Sequence, residues 1–181
     1  DATRADPPGV RNVTVTNCIL DSGCQGVRVG CPGDSVIRDC TLSNLVIHSA
    51  NNGIVFDNPR RYLAAGRQGS ADISNLMFSN ITIACRQYPV RMFVEEGIAL
   101  QHLGEVTFSG MRIRSGRPCL IAGNDETKIE NVRFSDVSID TDGDDAVLCR
   151  HCRGVQLDGV TVSNRGGHAS ASGGGRDRHH A

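Results

Sequence analysis

The chain has 181 residues, of which 39% are hydrophobic, 4% aromatic and 22% charged, with a formal net charge of −1. That length suits one domain with a substantial core. The near-zero charge argues against a nucleic-acid binder held by a basic surface, and no apolar run approaches the roughly 18 residues of a membrane span. With 21 Gly, 8 Cys, no Trp, five Phe and two Tyr, the core must come mainly from small aliphatic side chains, which suits thin, repeated layers.

An eleven-residue pattern recurs six times along the chain, apolar at offsets 0, 3, 5, 8 and 10 and polar or small between. The copies are VRNVTVTNCIL from Val10, IRDCTLSNLVI from Ile37, ISNLMFSNITI from Ile73, LGEVTFSGMRI from Leu103, IENVRFSDVSI from Ile129 and CRGVQLDGVTV from Cys152. Within each copy the apolar period is two, breaks, and returns to two, which predicts strand, bend, strand. Offset 7 holds Asn17, Asn44, Asn80, Gly110, Asp136 and Gly159. These residue types tolerate left-handed backbone, so this column is where the bend is expected.

Shorter strand-like pieces lie between the copies: GVRVG from Gly26, GIVFD from Gly53, GIALQ from Gly97, CLIAG from Cys119 and AVLCR from Ala146. Each copy with its piece predicts one coil of three strands, paired with its equivalents above and below. The expected fold is all-β, a parallel β-helix, that is, a solenoid of about six coils. A two-sheet sandwich would need regular hairpin signals, and Asn-Gly occurs once, at Asn52–Gly53.

Two stretches break the rhythm, 58–70 and 85–94, and read as insertions that either line a binding groove or cover apolar surface. Both tyrosines and several arginines fall there. Residues 1–164 are expected to form the β-helix domain. Residues 165–181, rich in Gly, Ser and His, read as a disordered tail.

From Val10 to Asp57 the sequence resembles the downstream half of a polygalacturonase-like protein of glycoside hydrolase family 28. In that family a coil like RNVTVTNC is followed by Gly-His-Gly-Ile-Ser-Ile-Gly, and the next coil by Asn-Gly-Ile-Arg-Ile-Lys. Here those places read CQGVRVG, from Cys24 to Gly30, and NGIVFD, from Asn52 to Asp57. Gln25 stands at the place of the family's active-site His, and Val55 and Asp57 at those of the Arg and Lys that hold a galacturonate carboxylate. The resemblance implies a right-handed helix, inverting hydrolysis of an acidic, pectin-type polysaccharide, and an extracellular or periplasmic location; the alternatives are a non-catalytic carbohydrate-binding β-helix with a degraded active site, which Gln25, Val55 and Asp57 favour, and a β-helix polysaccharide lyase or epimerase. The family's principal acids lie one coil before its His motif. Residues 1–9 read as the loop after that strand, so those acids and further coils of the same protein are expected upstream of residue 1.

Inverting hydrolysis needs two carboxyl groups about 6.5–9.5 Å apart. Aligning the short pieces places Gln25, Asn52, Glu96, Pro118 and Asp145 in one column, with Asp144 beside it. Two coils would separate Glu96 from Asp145 by about 10 Å. Glu96, Asp144 and Asp145 are therefore the catalytic candidates, and crowding would raise at least one pKa. The Asp-Gly-Asp-Asp run is equally a turn sequence, and Asp140, Asp142, Asp144 and Asp145 are an oxygen-rich set of the kind that binds calcium. Gln25, Arg28, Asp57 and Arg150 are the substrate-binding candidates, since guanidinium forks match carboxylates.

Cys18, Cys40, Cys149 and Cys152 fall on inward positions and read as small core residues. Cys24 and Cys31 flank one strand, either as a pair or as free thiols. Cys149-Arg-His-Cys152 has zinc-like spacing without a second pair of ligands to complete the site. No metal or cofactor is expected, and the expected partner is a polysaccharide or oligosaccharide.

Overall fold

The six apolar repeats become strands that pair side by side in register. The computed structural model describes residues 9–33, 36–63, 65–66 and 69–164. Of the expected loop at 1–9, residues 1–8 lie outside the described residues and Gly9 begins a strand; the expected tail at 165–181 also lies outside them.

The described residues are all-β. The strands are β1 Gly9–Arg11, β2 Thr14–Ser22, β3 Gln25–Arg28, β4 Val36–Ser49, β5 Asn52–Asn58, β6 Asp72–Cys85, β7 Val90–Val94, β8 His102–Arg114, β9 Cys119–Ala122, β10 Ile129–Thr141, β11 Val147–Arg150, β12 Cys152–Arg153, β13 Gln156–Asp158 and β14 Thr161–Asn164. One 3-10 turn, Arg60–Tyr62, interrupts them. A nine-stranded sheet is ordered β1-β4-β6-β8-β10-β12, with β2 on β4 and β13 and β14 on β10. A five-stranded sheet is ordered β11-β9-β7-β5-β3. Every pairing is parallel. The chain alternates between the sheets, one repeat in the long sheet and then one short strand in the other.

Register follows the repeat. Val10 faces Ile37, Ile37 faces Ile73, Ile73 faces Leu103, and Ile129 faces Cys152. All six offset-7 residues have positive φ, between 53° and 61°. A second such column, not anticipated, lies at offset 2: Asn12, Asp39, Asn75, Glu105, Asn131 and Gly154, with φ between 48° and 70°. Side-chain amides tie both columns across layers. Asn80 Nδ2 donates to Asn44 Oδ1 at 2.7 Å, and Asn75 Nδ2 to Asp39 Oδ1 at 2.6 Å.

The apolar offsets stack into ladders between the sheets. Phe78, Phe108 and Phe134 stack face to face at 5.1 and 4.9 Å, and Phe56 of β5 meets Phe78 edge-on at 5.8 Å, joining the sheets. All four rings are fully buried, each contributing roughly 1.5–3 kcal/mol of transfer free energy. Glycine at the entrance of β5 has a steric cause: a Cβ on Gly53 would lie 2.4 Å from the Pro89 carbonyl oxygen. The first and last layers are more open. Val10, Val13, Ile19, Leu148, Leu157 and Val162 are exposed, and a largely apolar cavity of about 430 Å³ opens at Val10, Val13 and Val27.

One element was assigned to the wrong stretch. The third short strand is β7, Val90–Val94, within the expected insertion 85–94, and GIALQ from Gly97 is not a strand. Both stretches alternate apolar and polar, but only Val90, Met92 and Val94 continue the ladder of Ile54 and Phe56. Ile98 and Leu100 are buried differently, by side-chain hydrogen bonding rather than strand pairing. Asn124 Nδ2 donates to the Glu95 and Ile98 carbonyls at 2.7 and 2.9 Å, and Leu100 N donates to Thr127 Oγ1 at 2.8 Å. Cys149 is also misjudged. It stands level with Ile121, yet it is exposed because β11 pairs on one side alone among the described strands.

Candidate functional site

Alternation along the five-stranded sheet sends Ile54, Phe56, Val90 and Met92 into the core and their neighbours outward. The register places Arg28, Val55, Arg91, Leu120 and Leu148 in one outward column, and Asp57, Phe93, Ala122 and Arg150 in the next. Val55 therefore has Arg28 on the strand to one side and Arg91 on the strand to the other.

These arginines are held in place by neighbours. Arg28 Nη2 donates to the Asp57 carbonyl at 3.2 Å and its Nε to the Gly30 carbonyl at 3.4 Å. Its guanidinium lies 4.6 Å from the Tyr62 ring centroid, and that of Arg61 lies 4.9 Å from the same ring. Arg61 Nη2 and Arg28 Nη1 donate to the Tyr62 hydroxyl at 3.3 and 3.5 Å. The hydrogen bond from Arg61, and after it that from Arg28, lowers the Tyr62 pKa. Arg91 is ion-paired with Asp57 and lies 4.5 Å from the Phe93 ring centroid. Burial pulls its pKa below the ordinary value, but a guanidinium stays charged throughout the physiological range. Arg91 is thus paired with the Asp57 carboxylate, while Arg28 and Arg61 share the ring and hydroxyl of Tyr62.

A second arginine–tyrosine contact lies at the strand entrances. Arg117 Nη1 donates to Tyr88 Oη at 3.4 Å, with the guanidinium 5.4 Å from the ring centroid. Tyr88 N donates to Asn52 Oδ1 at 3.2 Å. Tyr88 is three residues before Arg91, about 10 Å along the strand direction.

The structure rearranges the expected site. Gln25 is opposite Asn52 as expected. Extended back from β7, β9 and β11, however, the register continues that column through Tyr88, Arg117 and Asp145, not through Glu96 and Pro118. Glu95 and Glu96 follow β7, whereas Asp144 and Asp145 precede β11. They stand at opposite ends of parallel strands, so strand length alone separates Glu96 from Asp145 by about 20 Å, too far for an inverting pair. Glu95 Oε2 accepts from Arg60 N at 2.8 Å and the Glu96 carbonyl accepts from Arg60 Nη2 at 2.9 Å. Both residues therefore anchor the 58–70 segment. Asp144 accepts a hydrogen bond from Asn164, and both Asp144 and Asp145 are exposed. Asp57 serves to hold Arg91. Arg150 is on the last short strand and Arg28 on the first, four strand spacings or about 19 Å apart, so they do not form one site. Among the described residues no group of three or more His, Cys, Asp or Glu side chains is placed to hold a metal ion, so neither the calcium nor the zinc arrangement is assembled.

Arg91, Tyr62, Tyr88 and Arg117 are the residues that sequence reasoning missed. The available signal was that both tyrosines of the chain fall in the two breaks of the repeat. Comparison of the chain with protein-family models, with curated proteins and with solved structures finds no match.

Proposed function

We propose that the chain is a right-handed parallel β-helix of the polygalacturonase-like type, and that the outer face of its five-stranded sheet binds an acidic, pectin-type polysaccharide. The alternation between two parallel sheets with a one-repeat register supports the β-helix. The observation that carries the binding site is the outward column in which Arg28 and Arg91 flank Val55 beside Tyr62. Planar guanidiniums pair bidentately with carboxylates, and aromatic faces hold such cations ready at low entropic cost. Two arginines on neighbouring strands, once removed across Val55, match a polymer carrying repeated carboxylates.

Binding without hydrolysis is the function these residues support best. Gln25 has no titratable group to give or take a proton, and Glu96 and Asp145 do not face each other. Hydrolysis is the second reading, favoured by the adjacent carboxylates Asp144 and Asp145 at the entrance of β11, level with the Arg117–Tyr88 contact. One of them would protonate the leaving oxygen while an opposing carboxylate activates water.

Titration with polygalacturonate and with a neutral glucan separates these outcomes. Preference for the acidic polymer, weakening with salt, is expected. Arg28→Ala should lower affinity about tenfold, ~1.4 kcal/mol. Equal affinity for the neutral polymer would overturn the proposal. New reducing ends that vanish in Asp145→Asn would establish the hydrolytic reading, whereas unsaturated, ultraviolet-absorbing products would mark a lyase.

A further inference from the structure

Four cysteines run from the interior toward the last layer. Cys85 is partly buried and Cys119 fully buried; burial pushes their thiols up to about 11 and about 12, so both are protonated at neutral pH and inert. Cys149 and Cys152 differ. They bracket the step from β11 into β12, where the chain crosses between the sheets over His151, held at φ 46°. Cys149 stands opposite Ile121 of β9. Cys152 Sγ also lies 3.1 Å from the Ile121 carbonyl oxygen and 2.9 Å from that of Arg150, which fixes its rotamer. Cys149 is exposed, because β11 has no second strand neighbour among the described residues.

We propose that Cys149 and Cys152 are a redox-active dithiol that closes into an intramolecular disulfide by exchange with a small disulfide. Both cysteines border Ile121 and lie three residues apart across the bend at His151, so side-chain rotation brings the two sulfurs toward bonding geometry. The surroundings favour the reaction. Arg150 adjoins Cys149, while the basic neighbours of Cys152 are paired with carboxylates, His151 with Asp125 at 3.4 Å and Arg153 with Glu130 at 2.6 Å. The hydrogen bond from Cys149 outweighs burial and brings the Cys152 thiol down to about 7. In the exchange, one cysteine thiolate attacks a sulfur of the small disulfide and expels one thiol. The second cysteine then attacks the protein sulfur of the mixed disulfide and expels the other. The two protein thiols are oxidised, the small disulfide is reduced, and the two protons leave with the two released thiols. The closed form would clamp the end of the five-stranded sheet to the start of the last repeat, in the layer least covered by neighbours.

The test uses the whole reduced chain and oxidised glutathione. Non-reducing peptide mapping is expected to show a Cys149–Cys152 link in a peptide about 2 Da lighter than its dithiol form, while Cys85 and Cys119 stay free and the exposed Cys24 is read in its own peptide. Cys149→Ser should instead trap one glutathione on Cys152. Separate glutathione adducts on Cys149 and Cys152 of the unaltered chain would overturn the proposal, as would two unmodified thiols there or a link from either to another cysteine. The unaltered chain decides the question by itself, so a misfolding variant leaves the outcome readable.

Discussion

The two sheets are built from one repeating chain yet carry different loads. The nine-stranded sheet repeats almost without exception: stacked rings at 4.9–5.1 Å inside, two columns of left-handed residues along its bends, and amide bonds from layer to layer. The five-stranded sheet keeps the inward ladder but varies its outward positions from Arg to Val to Leu. It also takes the first break of the repeat against its face at Tyr62, and the second break supplies its own strand β7. Regularity is needed where layers must stack, and variation is tolerated where only one neighbour or solvent constrains a side chain. Changes in the long sheet should therefore cost stability and spare binding, and changes on the short sheet's outer face the reverse.

The largest expected effect comes from the shared core. Phe108→Ala removes the middle ring of the stack and should cost about 3–5 kcal/mol in denaturant unfolding. Polysaccharide affinity at temperatures where the variant stays folded should not change. The comparison is expected to break at Arg91→Ala, on the short sheet. It strands Asp57, which is only 7% exposed, without its cation, and should cost about 3 kcal/mol as well as affinity. The double change Arg91→Ala with Asp57→Ala should recover much of that stability and none of the binding.

Asn80→Ala, in the long sheet, imposes a φ of 53° on alanine and deletes the bond to Asn44. A loss of about 2 kcal/mol is expected, and a smaller one for Asn80→Gly, which keeps the conformation. Tyr62→Ala should change the unfolding free energy by less than about 0.5 kcal/mol, since Tyr62 is 45% exposed. It should weaken binding of the acidic polymer severalfold, because Arg28 and Arg61 lose their shared platform.

The smallest effect concerns acid. Burial pushes the Glu105 carboxyl up, but hydrogen bonds from Asn131 and His102 outweigh it and hold the group below its ordinary value near 4.5. Its stabilising contribution is then full above about 4.5 and is lost as pH falls through the lower folded value. Glu105→Gln should shrink the difference in unfolding free energy between pH 6 and pH 3, measured in urea, by about a few tenths of a kcal/mol, since the site is half-exposed. An unchanged difference would show that Glu105 plays no part in the acid limb.

Legibility followed the same division. The long sheet was readable residue by residue because its period is enforced by six stacked copies. The offset-2 column escaped because Glu105 holds a left-handed place without being Asn, Asp or Gly. In the short sheet, GIALQ and VRMFV present the same alternation, and only pairing in space distinguishes them. That one displacement removed Glu96 from the column of Asp145 and put Arg91 beside Arg28.

The sequence by itself determined the all-β architecture, the start of every repeat and the bend column, since these depend on period and on local φ preferences. Tertiary structure alone decided which outward side chains share a column. A column is fixed by which strand pairs with which, and a short apolar stretch carries too little information to choose its neighbour. The arginine face, the separation of the carboxylates and the exposed thiol pair all follow from that choice.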